Sequence, residues 1–211
     1  MAAKESITDT HRLTPKGRAT RERIVATAAQ LMYDHGVAAT SPGDVQKAAG
    51  VGASQMYHYF RDKEALIRAV IAHRVQALLA TLGGLDSMEG LRAWRDFVVD
   101  AQRQRNCAGG CPLGSLVGEL AEPFPDCRAD LDGGFDQWEA VIRQGLQAMY
   151  DRGELRRTAD PDRLATVLLA AVEGGMLLAQ VRRDTAALET ALDDALDRIA
   201  DLRPRRAPAR S

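Results

Sequence analysis

The sequence predicts an all-α protein: a small N-terminal unit of three helices followed by a larger C-terminal helical bundle. Apolar residues recur at three- and four-residue steps in every long segment, and the chain holds little else. Ser-Pro, Asp-Pro and Gly signals separate those segments as helix starts and stops. With 211 residues, 45% hydrophobic and 27% charged, the chain can bury a core without staples and lies near the globular average, far from disordered or collagen-like compositions.

Residues 1–15 are polar and aperiodic, and are expected to form a disordered arm. Ile24, Ala28, Leu31, Met32 and His35 then share one helical face, and Gly36 stops that helix, giving about 16–35. Thr40 and Ser41 are read as caps for a short helix over 42–49, with Pro42 just inside it and Gly50 closing it. Gly52 or Ala53 opens a third helix that runs through Phe60. Asp62 caps a fourth, whose Leu66, Ala69, Val70, His73, Ala77 and Leu78 share a face up to Gly83-Gly84.

The body continues with a helix near 87–106 carrying Leu91, Trp94, Phe97 and Val98. Cys107-Ala-Gly-Gly-Cys111-Pro112 interrupts it, Leu113 to Leu120 restarts briefly, and Pro123 and Pro125 break the chain again. A long helix follows from Asp126 to about Gly153. Asp160-Pro161-Asp162 starts the next, and Thr185 is expected to cap the last, in which Leu188, Leu192, Ala195, Ile199 and Leu202 form a coiled-coil-like seam. Arg203 onward reads as a loose basic tail, so the expected units are 1–15, 16–62, 63–202 and 203–211.

Charge divides along the same lines. Residues 1–70 hold ten Lys/Arg against seven Asp/Glu, residues 71–202 fourteen against twenty-two, and residues 203–211 four Arg and no acid. A basic head on an acidic body suggests two jobs, with a polyanion meeting the head. Three cysteines do not form a disulfide framework and point to a reducing compartment. The N-terminus lacks the apolar stretch of a signal peptide, and no apolar run approaches the roughly 20 residues of a membrane span. The expected location is the cytoplasm, without membrane contact.

Two short helices joined by Ala-Gly-Val-Gly make a helix-turn-helix pattern. The wording is more specific than the spacing: GRATRERIVATAAQLMYDHGVAATS is followed by DVQKAAGVGASQMYHYFRDKEALI. Residues 18–70 resemble the DNA-binding domain of TetR-family repressors. The resemblance implies a third helix in the major groove, presenting Ala53, Ser54, Gln55, Tyr57 and His58. Gln55 can pair with adenine, Ser54 with either base, and Ala53 can touch a thymine methyl. Tyr57 and Tyr59 suit phosphate oxygens, with core packing as the other reading of Tyr59. Thr40 and Ser41 stand at an anion-binding helix start, Lys63 matches the family's phosphate-contacting position, and Lys47 is a weaker candidate. Met56 and Phe60 are assigned to the core.

Two departures bear on affinity. Many relatives place Ser-Lys or Ser-Arg where this chain has Gly52-Ala53, and Pro42-Gly43 replaces stronger helix formers. More of the binding could then fall to an arm containing Arg12, Lys16, Arg18, Arg21 and Arg23, reaching a minor groove; a solvated basic tail is the alternative.

TetR-like proteins are dimers. The seam on the last helix, with Leu164, Leu168, Ala171, Gly175 and Leu178 on the helix before it, is therefore expected at a homodimer interface, with burial against the chain's own core as the alternative. Trp94, Phe97, Cys107, Cys111, Phe124, Phe135, Trp138, Met149 and Met176 are candidates for an effector pocket suited to apolar or aromatic ligands, although each also fits ordinary core. A ligand there would alter the spacing of two DNA-binding heads, with helix 4 as the lever. The stretch CAGGCPLGSLVGELAE, with Asp151 to Leu155 and Asp160 to Leu164, resembles the LmrA/YxaF-like branch, which includes regulators of drug export and oxygenase genes.

Cys107 and Cys111 lie near a helix start, which lowers a thiol pKa, so a redox or electrophile sensor is an alternative trigger, against two buried thiols beside a bend. Neither a metal nor a cofactor is expected. An enzyme on a helical bundle is weaker still: there is no Gly-rich phosphate loop, no HExxH and no GxSxG.

Overall fold

A computed structural model describes residues 13–204, and all regular structure among them is helical. Arg12, with most of the expected arm and tail, lies outside the described residues. The helices are α1 (Pro15–His35), α2 (Pro42–Ala49), α3 (Ala53–Tyr59), α4 (Lys63–Leu79), α5 (Met88–Gln104), α6 (Val117–Leu120), α7 (Pro125–Asp151), α8 (Pro161–Arg182) and α9 (Ala186–Asp201). The restart expected over 113–120 divides into a 3₁₀ turn, Gly114–Leu116, and the single turn of α6.

Local chemistry sets most boundaries. Thr14 accepts from the Gly17 N–H, Ser41 from Asp44, Asp62 from Ala65, Ser87 from Gly90 and Asp160 from Arg163, each satisfying an otherwise orphaned helix donor. Thr185 does not cap α9 as expected. Its hydroxyl turns to the Glu189 carboxylate, and Asp184 accepts from the Ala186 N–H instead. Thr40 likewise does not cap α2: it is buried, and its hydroxyl donates to the Gly36 carbonyl at 2.8 Å.

In the head, α1 lays Ile24, Val25, Ala28 and Met32 against Val45, Val51, Met56, Phe60 and Leu66. In the body, α4 packs on α7, α7 on α8, and α5 on α9, while α8 and α9 run along each other in the most extensive contact of the molecule. The α9 seam is therefore not a subunit interface. Leu188, Leu192, Ala195 and Ile199 are buried within the protomer, as are Leu164, Leu168 and Gly175. A 3-4 stripe requires a facing stripe, and α8 and α5 of the same chain supply it. Ala171 is half-buried, and Leu178 alone of the expected set is exposed.

α8 is long and apolar enough to cross a membrane by length and composition, which corrects the expectation that no segment would be. One of its faces is spent on α7 and α9. On the other, Leu177 and Val181 stand 63% and 77% exposed, beside the small residues Ala170 and Gly174.

The bend after α5 is the most constrained piece of backbone. Asn106, Cys107, Gly109 and Gly110 all have positive φ, at 50°, 53°, 79° and 61°. Such conformations cost a non-glycine residue free energy and persist only when the surroundings enforce them. Here Gln102 donates to the Gly110 carbonyl and Arg183 to the Cys107 carbonyl.

Gly175 lets α9 approach α8 closely: a Cβ there would sit 2.8 Å from the Leu188 Cα. Gly→Ala inside a helix ordinarily gains about 1 kcal/mol. Gly175→Ala is expected instead to destabilise the protein by about 1–3 kcal/mol, through overpacking against backbone. Urea unfolding at low and high protein concentration checks this; the loss should be the same at both, because the contact lies within one protomer.

Candidate functional site

The head presents α3 to solvent. Gly50, left-handed at φ 63° and ψ 42°, turns the chain out of α2, and its N–H and that of Val51 close on the Gln46 carbonyl. Buried Val51, Met56 and Phe60 then fasten α3 by one face. Ala53, Ser54, Gln55, Tyr57 and His58 are all exposed, Tyr57 by 71%. Tyr59 is half-buried, with its ring edge-on to His58 at 5.0 Å. Gly52 brings no side-chain cap; Gln55 Oε1 takes its place, accepting from the Gly52 N–H at 3.4 Å. That long bond is the one Gln55 would exchange for a base edge.

The remaining expected contacts are placed differently. Ser41 is exposed, but its hydroxyl donates to Asp44 at 2.6 Å and accepts from the Asp44 N–H at 3.2 Å. The Ser41 hydroxyl, with the Ser41 N–H that also donates to the carboxylate at 2.9 Å, holds the Asp44 carboxyl below the usual range. The α2 start thus already carries an anion, contrary to its expected availability to phosphate. Buried Thr40 cannot face a ligand. Lys47 is exposed. Lys63 is half-buried, and its ammonium donates to the Val37 carbonyl at 2.7 Å. Of the basic residues opening α1, Arg18 donates to the Leu13 carbonyl, Arg21 lies over the Phe60 ring and Arg23 donates to the Ala49 carbonyl, while Lys16 is exposed.

The α1–α2 loop is gripped from the body. Glu119 of α6 accepts from the Val37 N–H at 3.0 Å and the Ala38 N–H at 2.8 Å. Tyr33 of α1 reaches the bend after α5, its hydroxyl 3.0 Å from the Ala108 carbonyl. On the far side, Arg68 of α4 forms a bidentate pair with Asp130 of α7 at 2.6 and 3.2 Å.

A cavity of about 530 Å³ opens between the outer face of α8, the segment from Cys111 to Val117, and Phe135 of α7. Its walls are Cys111, Gly114, Ser115, Val117, Phe135, Thr166, Leu169, Ala170, Glu173, Gly174, Leu177 and Gln180. Only Cys111 and Phe135 were expected there. Trp94, Trp138, Met149, Met176 and Cys107 are core side chains, and Phe124 is half-buried. Phe97 is 53% exposed, one turn from buried Trp94, and faces away from the core. Glu173 was missed, although it is the sole charge in the run from Val167 to Val181.

Burial, then the Glu173 carboxylate beside it, pushes the Cys111 thiol well above its ordinary pKa, opposite to the expected lowering. Burial also raises Cys127, to about 11. Thiols so held are poor nucleophiles. Among the described residues no three His, Cys, Asp or Glu side chains converge to hold a metal ion.

A compact helical head with an exposed helix-turn-helix, gripped by a helical body containing a cavity, defines a DNA-binding transcriptional regulator. Residues 24–70 match the model for bacterial regulatory proteins of the tetR family, and residues 87–195 the tetracyclin repressor-like C-terminal domain. The chain belongs to the TetR family. It is 30% identical to an uncharacterised HTH-type transcriptional regulator in the lacX 3' region of Lactococcus lactis subsp. lactis, over 83% of this chain and 91% of that one. It is also 30% identical to the HTH-type transcriptional repressor NemR of Escherichia coli, over 82% and 90%. The crystal structure of E. coli NemR in its reduced form superposes with a TM-score of 0.76, covering 91% of this chain and all of that one. YxaF of Bacillus subtilis is 26% identical over 80% and 88%.

Glu119→Ala should free the Val37 and Ala38 amides while leaving the body folded. Hydrogen exchange at those two amides is expected to accelerate at least tenfold, with protection of α8 and α9 unchanged.

Proposed function

We propose that the protein is a homodimeric repressor that binds an inverted-repeat operator through α3 and is released by a small apolar or aromatic effector bound in its body. The observation that carries the reading is the continuity of one segment, residues 111–120. It forms a wall of the cavity at Cys111, Gly114, Ser115 and Val117, and ends at Glu119 on the α1–α2 loop. An effector that moves this wall moves the head. α4 supplies a second lever, since Lys63 at its start holds the Val37 carbonyl. The effector must favour one head spacing over the other; an equal binder shifts nothing. A coupling of about 1–3 kcal/mol releases an operator 5- to 150-fold.

Dimerisation is supported by α8. A helix apolar on both faces is a buried helix, and beside the cavity its face at Leu178 and Val181 has no cover within the protomer. Two copies joined there would present two recognition helices to successive major-groove faces, which an inverted repeat matches. DNA in bacteria is reached in the cytoplasm, where the relatives named as transcriptional regulators would act.

Gel shifts against the DNA upstream of the gene, at fixed salt, test the reading. Gln55→Ala should relax base preference at one position per half-site, costing about 1–3 kcal/mol there. Equal wild-type affinity for that region and for random DNA would refute the repressor assignment. Val181→Asp should give a monomer mass by light scattering, with little change in helix content and at least tenfold weaker operator binding.

A further inference from the structure

We propose that the cavity on α8 takes a small amphiphilic amine, its apolar body lying along α8 and its ammonium against the Glu173 carboxylate. The inference rests on the effector reading above and adds the chemical class of the ligand.

The cavity has the size of a small-molecule site. Phe135, Leu169, Ala170 and Leu177 make it predominantly apolar, and neither Lys nor Arg lines it. Glu173 is the carboxylate within it. Cys111 lies beside this carboxyl, and Oε1 is shielded from solvent and has no hydrogen-bond partner. Buried acceptors are ordinarily paired, and a buried carboxylate without a cation is disfavoured as the anion. Burial accordingly holds the Glu173 carboxyl above the usual range. An ammonium in the cavity supplies the missing countercharge and, once the carboxyl turns towards it, the missing donor; the carboxyl proton leaves to water. A carboxylate ligand would meet Glu173 as a like charge, and an alcohol would supply a donor without the charge.

The test uses three probes with one body: 4-phenylbutylamine, 4-phenylbutanol and 4-phenylbutyrate. Titration calorimetry on the full chain should show the amine binding at least tenfold tighter than the alcohol, with no binding of the carboxylate. Glu173→Gln should erase the amine's advantage, and Ser115→Trp, on the wall opposite α8, should block the cavity to both binders. Where Glu173→Gln fails to fold by circular dichroism, the head-group ranking on the wild type decides alone. Absence of amine binding, equal binding of amine and alcohol, tight binding of the carboxylate, or an advantage that survives Glu173→Gln in folded protein overturns the inference. A gel shift with the amine separates the two readings. Glu173-dependent binding that leaves operator affinity unchanged establishes the ligand class and refutes the effector role.

Discussion

The Glu119 carboxylate decides how the two parts of the chain meet. Both its oxygens accept backbone N–H groups of the α1–α2 loop, while Lys63 takes the carbonyl of Val37 from the other side. Hydrogen bonds to charged groups each contribute about 1.5–3 kcal/mol, so this grip rivals a fair share of a domain's net stability. It also has direction. α6 is a single turn, attached through a 3₁₀ turn to the cavity wall and broken from α7 by Pro123 and Pro125. Buried Leu116 and Leu120 seat this short element in the core. The Glu119 carboxylate joins the cavity wall to the α1–α2 loop.

The helices were legible because their signals are local. Ser41, Asp62 and Asp160 cap where the residue order requires, and Gly36 and Gly50 stop where they stand. The exposed side of α3 was legible for the same reason: Met56 and Phe60 claim one face, which leaves Ser54, Gln55, Tyr57 and His58 on the other. What periodicity withholds is the partner. The 3-4 spacing of α9 correctly marks a buried stripe, but spacing carries no label saying whether the opposing stripe belongs to the same chain. Phe97 shows the same limit for size. It lies three positions from Trp94, far enough round α5 that one ring enters the core and the other meets water.

The cavity was missed because large apolar side chains fill cores rather than outline holes. Its walls are smaller residues, Gly114, Ser115, Thr166, Ala170 and Gly174, grouped round one acid. The readable trace was Glu173, a charge set in an otherwise uncharged stretch of α8. Its neighbourhood also reverses the thiol reading. A helix start favours a thiolate, but the fold brings Cys111 against a carboxylate in a dry setting, and desolvation with like charge outweighs the dipole. Neither neighbour is close in sequence, so only the tertiary arrangement could disclose the sign.

The left-handed bend from Asn106 to Gly110 bears on how this regulator can drift over generations. A methyl group at Gly109 would fall 2.2 Å from the Tyr33 ring, and one at Gly110 would fall 2.7 Å from Gln180. The bend therefore has no spare room on either the head side or the α8 side. On the cavity side of α8 there is more space: a Cβ at Gly174 would meet nothing within 4 Å. A side chain at Gly109 must displace the Tyr33 ring that α1 sends into the bend, and its positive φ adds strain. Inheritable change is thus easier to accommodate on the cavity face of α8 than at the bend.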